Sequence, residues 1–326
     1  MPFLTVDDRM TADRALRLIR RGHTLLWTGD FQNARQILAA LGRRVPAPRD
    51  GSFADQRRRQ AERVRILSSL FVPMTGHRVT LRRSPDLRTA CREAGVPHDA
   101  GPVPLRELLG VIGAHQLRRR GVHVPALNDR IHPHYGVFAP TRSEYADLVA
   151  QQPLPAGAGT AFDIGTGTGL LAAILARRGI RRLVATDNNP RAVACARENL
   201  ERLAVSAEVL ETDLFPPGRA DLIVCNPPWI PATPLTALDR AVYDEDGRML
   251  RGFLGTVRER LEPGGEAWLI LSDLAELLGL RSRGELVAMF QAGGLRVAGR
   301  TSVEPRHRRA RDGEVTDLWQ LRPGGC

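Results

Sequence analysis

Beyond Thr160, short apolar runs recur along the chain, and each ends in turn-forming residues. Ala161–Ile164, Leu183–Thr186, Ala207–Leu210, Leu222–Cys225 and Ala267–Leu271 read as buried strands. Helical stretches, among them Leu170–Arg177 and the segment from Pro190, lie between several of them. Strand and helix in alternation predict a mainly parallel sheet covered by helices, a doubly wound α/β architecture. Leu295–Ser302 and Val315–Leu321 predict two more strands flanking the polar loop Glu304–Gly313.

The first part of the chain follows a different pattern. Ala15, Leu16, Leu18, Ile19, Leu25 and Leu26, then Ile37, Leu38 and Leu41, predict two helices within Asp13–Leu41 joined around Gly22–Thr28 or Gly29. Val45–Ser52 is a Pro- and Gly-bearing break. Phe53–Leu70 returns to helical spacing, with Val64, Leu67, Leu70 and Phe71 inward and Arg57–Arg59 opposite. Asp86–Ala94 and Val103–Leu117 predict shorter helices, the first with Ser84 as N-cap and Pro85 at N1. The expected organisation is a helical, basic N-terminal domain over 1–130 and an α/β domain over 131–326.

Composition adds exclusions. The 326 residues are 43% hydrophobic and 25% charged, as in ordinary globular chains, which excludes disordered and collagenous classes. The longest unbroken apolar run, Leu170–Ala176, is too short to cross a bilayer. Asp7 and Asp8 occupy positions where a signal peptide needs apolar residues. Cys91, Cys195, Cys225 and Cys326 form no CxxC pair, so neither a zinc site nor a disulfide framework is indicated, and a cytoplasmic setting is expected.

All 47 basic residues are arginine, which points to a coding bias and inflates the apparent basicity. Placement is more informative than total. Residues 1–150 hold 25 Arg against 14 acidic residues, whereas 151–326 hold 22 of each, so the whole net charge of +11 lies in the first half. Such an excess points to nucleic acid as a partner of the N-terminal half.

The sharpest local signal is Asp163-Ile164-Gly165-Thr166-Gly167-Thr168-Gly169, between a predicted strand and a predicted helix. Glycines permit a tight turn and close approach of a ligand to backbone, and the helix start offers free N–H groups. Gly167, Gly169 and Ala172 also satisfy a dinucleotide-binding fingerprint. Asp187 ends the next strand, where a carboxylate suits a ribose diol; its plainer role is capping the helix near Pro190, which Asn188 or Asn189 would also serve. Asp213 follows a third strand and suits an adenine amino group, with Leu214 or Phe215 covering the ring. An ordinary turn carboxylate is the competing reading.

Asp221–Cys225 then empties into Asn226-Pro227-Pro228-Trp229. Two prolines stiffen the backbone and remove its donors, leaving carbonyls outward. The Asn226 side-chain oxygen and the Pro227 carbonyl are two acceptors suited to one planar NH2 group, with Trp229 as a stacking face. The competing reading is a rigid turn with a packing Trp.

Together these segments resemble the class I S-adenosylmethionine-dependent methyltransferases, more narrowly the amino-nitrogen enzymes with (D/N)PP(Y/F/W). That group includes HemK-type protein-glutamine, small-domain ribosomal RNA guanine and adenine-N6 methyltransferases. The resemblance runs from about Ile131 to the C-terminus, including Gly136–Glu144 and Leu238–Leu250 on a looser match. It implies a Rossmann-like sheet. It also implies S-adenosyl-L-methionine held by Asp163, Gly165, Thr166, Gly167, Gly169, Asp187, Asn188, Asp213, Leu214 and Asn226. Asn226, Pro227, Pro228 and Trp229 would carry the chemistry, without a metal.

The expected function is N-methylation of a planar amino group in a macromolecule, with a base in ribosomal RNA favoured over a protein glutamine. A dinucleotide-dependent oxidoreductase gives NPPW no role, and a non-catalytic cofactor- or RNA-binding scaffold is the remaining alternative. His132-Pro133-His134-Tyr135 lacks a zinc-like partner set and reads as a structured linker. Arg57–Arg59, Arg118–Arg120 and Arg306–Arg311 read first as solvated runs.

Overall fold

The computed structural model describes all residues except 1, 2, 49, 50, 237, 238, 240, 306–309 and 326. The chain forms two compact units, Met1–Gln116 and Leu117–Cys326.

The C-terminal unit is built on seven strands: β1 (Thr160–Ile164), β2 (Arg182–Asp187), β3 (Glu208–Glu211), β4 (Ala220–Cys225), β5 (Leu261–Ser272), β6 (Leu295–Val303) and β7 (Thr316–Pro323). Their order is β3-β2-β1-β4-β5-β7-β6. The first five are mutually parallel, and β7 runs antiparallel to both β5 and β6. Helices α1 (Glu144–Gln151), α2 (Leu170–Arg177), α3 (Pro190–Arg202), α4 (Arg248–Arg260) and α5 (Arg283–Ala292) cover it.

Alternation along the strands explains the two layers. Ala161, Leu222, Val224, Trp268 and Ile270 pack with Tyr145, Leu171, Val193 and Leu200 from α1, α2 and α3. The intervening Phe162, Ile223, Cys225, Leu269 and Leu271 pack with Leu250 and Phe253 of α4 and Leu286 and Phe290 of α5. Strands buried on both faces are why these runs read as continuously apolar. Strand order reverses between β1 and β4, the position where open α/β sheets leave a crevice at their carboxyl ends.

The N-terminal unit departs from the expected helical domain. It holds a four-stranded sheet of Phe3–Val6, Thr24–Trp27, Leu70–Val72 and Val103–Pro104; the first three are parallel and the last antiparallel. Helices Ala12–Arg20, Phe31–Arg44 and Phe53–Leu67 cross between its parallel strands. The segment taken as the joint between two helices is therefore a strand. Leu25 and Trp27 are fully buried while Leu26 is only half-buried, a period-2 pattern too short to stand out between Gly22 and Gly29. Ser84 does not cap the following helix, which spans Arg88–Glu93 after Leu87; the Ser84 hydroxyl donates to the Val79 carbonyl instead.

The boundary also lies earlier than residue 130. The hairpin of Val122–Val124 and Asp129–Ile131 belongs to the C-terminal unit, since Val124, Leu127 and Ile131 are buried in the same core as α2. Among the described residues, no helix is long and apolar enough to cross a membrane.

Candidate active site

Sheet register collects the predicted residues. Ile164 pairs with Thr186 on one side and Cys225 on the other. The next residue on each strand is Gly165, Asp187 or Asn226, so all three leave the same carboxyl edge in adjacent positions.

The glycine loop is held from within. Asp163 is buried, and its Oδ2 accepts from the Thr166 hydroxyl at 2.6 Å and from the Ala172 N–H at 3.0 Å. Its Oδ1 is buried without a partner. Burial pushes this carboxyl up to about 6, with the nearby Asp187 charge adding to the rise and the two donors opposing it. Gly165, Gly167 and Gly169 all have positive φ, a conformation that strains any residue with a Cβ. At Gly165 a Cβ would also stand 2.6 Å from the Met249 methyl.

Asp187 serves the same loop. Its Oδ2 accepts from the Gly167 N–H at 3.0 Å and its Oδ1 from the Asn189 N–H at 2.9 Å. Burial raises its pKa against those two hydrogen bonds. Capping of α3 falls to Asn189, whose side chain accepts from the Arg191 N–H, so Asp187 is not used for that purpose. Asp213 and Asn188 are exposed, 3.4 Å apart, and Asp213 lies 3.3 Å from Arg248. Leu214 adopts φ 62°, with its carbonyl taking the Thr186 hydroxyl, while Phe215 stacks on Phe253 in the core. Of those two residues, Leu214 is the one left for a ring-covering role.

At the end of β4, Asn226 and Trp229 are half-buried and Pro227 is buried. The Asn226 oxygen already accepts from the Trp229 indole N–H at 2.9 Å. That fills one of the two acceptor directions of a carbonyl oxygen and leaves one for an incoming group. Beyond it, Ile230 and Tyr243 form a bridge, and Asp244 accepts from the N–H groups of Met249 and Leu250 at the start of α4. This places Met249 against Gly165.

Residues 128–277 match the methyltransferase small domain family. The matched segment lies wholly within the C-terminal unit and marks it as a methyltransferase domain. The chain is 34% identical over 121 residues to a Methanocaldococcus jannaschii protein whose name assigns it N5-glutamine methylation, a stretch covering 35% of this chain and 61% of that protein. It is 32% identical over 152 residues to a release factor glutamine methyltransferase of Geobacter sulfurreducens, covering 42% and 51%. It is 33% identical over 138 residues to a tRNA1(Val) (adenine(37)-N6)-methyltransferase of Cytophaga hutchinsonii, covering 39% and 58%. The chain thus spans about half to three fifths of the length of these three relatives.

The residues of the methyltransferase domain suit a cationic, ribose-bearing cofactor. The partnerless buried oxygen of Asp163 and the half-buried carboxylate of Asp187 favour positive charge, and the positive φ of Gly165 disfavours any side chain there. Among the described residues, no group of three or more His, Cys, Asp or Glu is placed to hold a metal.

One cluster of the domain escaped the sequence reading. Arg142, a half-buried side chain before α1, donates to Glu314 at 2.6 Å and to Glu144 at 3.3 Å. Both carboxylates are buried, and Ser272 also donates to Glu314. The Arg142 guanidinium lies 5.6 Å from the centre of the Trp229 ring. Glu314 is 172 residues from Arg142 in sequence, so no local spacing announced the pair. By contrast, His132-Pro133-His134 is structured but is no linker between domains, since it lies inside the C-terminal unit and packs on α3. Asn199 takes the His132 N–H and donates back to its carbonyl, and His134 pairs with Glu198 at 2.7 Å. Arg306–Arg309 of the last basic run lie outside the described residues.

Proposed function

We propose that the protein is an S-adenosylmethionine-dependent N-methyltransferase acting on a planar amino group of a macromolecule. The observation carrying this reading is the edge at which Asn226-Pro227-Pro228-Trp229 emerges one position from the glycine loop, with an Asn226 acceptor direction still free. When bound, the cofactor supplies an electrophilic methyl group. Asp163, Asp187 and the Gly165–Gly169 backbone would hold it, with Asn188, Asp213 and Leu214 at the adenosyl end.

Asn226 and the Pro227 carbonyl would accept the two protons of the acceptor NH2. Bonding to both protons favours pyramidal nitrogen and aims its lone pair, while Trp229 gives a planar acceptor a face to stack on. No strong base is needed, because the nitrogen becomes acidic only after it is alkylated. Orientation of this kind contributes up to roughly 7–11 kcal/mol to rate.

The favoured acceptor is an RNA base, a reading supported by the arginine excess of the N-terminal half. The names of the first two relatives favour a second acceptor, a protein glutamine. Incubating the protein and methyl-labelled cofactor with lysate from cells lacking it decides between them. Label released by ribonuclease supports RNA, and label released by protease supports glutamine. An Asn226→Ala variant that transfers label undiminished would overturn the catalytic assignment.

A further inference from the structure

The Asn226–Trp229 contact has a directional consequence. An Asn side chain presents an oxygen that only accepts and a nitrogen that only donates, and the two ends differ little in shape. An indole N–H only donates. With Trp229 Nε1 at 2.9 Å, the oxygen end is favoured at that position, since the flipped amide would set two donors face to face. The flip would also turn donors toward an acceptor NH2 that itself has protons to offer. A phenylalanine gives the same flat face without this preference.

The tryptophan is itself braced. The Arg142 guanidinium packs against its ring, and Arg142 is fixed by two buried carboxylates, that of Glu144 two residues along the chain and that of Glu314 from 172 residues away. Glu314 is in turn held by the Ser272 hydroxyl at the end of β5 and by the Arg311 N–H. We infer that the Trp229 indole N–H is an orientation lock on Asn226, and that Arg142, held by Glu144 and Glu314, is the positioning residue that keeps the lock closed. The inference rests on the methyltransferase reading of this site and adds a role for the indole N–H beyond stacking.

The test exploits Asn226→Asp, whose two oxygens make the flip irrelevant. Initial rates are taken with methyl-labelled cofactor and total RNA, and with total protein, from cells lacking the protein. Trp229→Phe should lower kcat roughly 3- to 10-fold, the worth of one neutral hydrogen bond, with KM within about twofold. In the Asn226→Asp background the same change should cost less than about twofold. An equal loss in both backgrounds, or a loss in KM alone, would reduce Trp229 to a packing or stacking group and overturn the lock.

A second measurement needs no acceptor. In protein carrying 15N-tryptophan, the Trp229 indole resonance should shift on Asn226→Ala. Its N–H should exchange faster in Arg142→Lys, which keeps the positive charge but loses the planar stack. A resonance unmoved by Asn226→Ala overturns the lock, and an unchanged exchange rate in Arg142→Lys overturns the brace. Undiminished methylation by Asn226→Ala overturns instead the function on which both rest.

Discussion

Asp163 shows how one side chain at the carboxyl edge carries two tasks. One oxygen ties the glycine loop to the start of α2, and the other is buried without a partner. Its pKa near 6, against an ordinary 3.8, means that the apo protein holds about half a proton there at pH 6 and more as pH falls further. A cation binds the ionised form better. Cofactor affinity measured by calorimetry should therefore be level above about pH 6.5 and fall below about pH 6. Asp163→Asn should weaken binding at neutral pH and remove that dependence. The sign for folding is the reverse: a raised carboxyl pKa favours the folded state at low pH, and that contribution is lost as pH rises through 6. Gly165 is a second residue-scale case. Gly165→Ala should lose cofactor affinity, and adding Met249→Ala should restore it only partly. The clash is relieved, but the φ of +70° still costs an alanine about 1–2 kcal/mol. The glycine loop, Asp187 and NPPW were all legible from sequence because their chemistry is local. The roles of Met249 and Glu314 were not, since each meets its partner only across the fold.

At the scale of elements, the strands of the C-terminal unit were readable because both faces are buried and the runs are apolar throughout. Predicted Leu222–Cys225 and Leu183–Thr186 fall within β4 and β2, and Leu170–Arg177 is α2 itself. The N-terminal unit was less readable. Its strands Thr24–Trp27 and Leu70–Val72 are short and abut helices, so their residues were absorbed into helical patterns. Caps behave similarly: Asn189 was one of three residues competing for the start of α3, with Asp187 and Asn188, and only geometry chose it. Asn189→Ala should lower unfolding free energy by about 1 kcal/mol in denaturant titrations. Cofactor affinity should change little, because Asp187 holds the Asn189 backbone N–H rather than its side chain.

The whole molecule divides its charge unevenly. The unit Met1–Gln116 holds 20 arginines against 11 carboxylates, a net of +9, whereas the remainder is close to balance at 27 against 25. If RNA is the acceptor, affinity for total RNA should fall linearly on a logarithmic salt scale, with roughly 0.7 in slope for each phosphate neutralised on a single strand. Arg58→Gln with Arg59→Gln, both exposed on helix Phe53–Leu67, should lower that slope by about 1.4 and leave cofactor binding unchanged. A salt-independent affinity in filter-binding assays would speak for the glutamine reading. The sequence by itself determined the class of the C-terminal sheet and the identity of its edge residues, because burial and turn chemistry are written in short-range pattern. Tertiary structure decided which oxygen of Asn226 faces which neighbour, and that Arg142 would find Glu314. Those outcomes depend on strands brought side by side and on buried charges that must meet a partner, which no local spacing encodes.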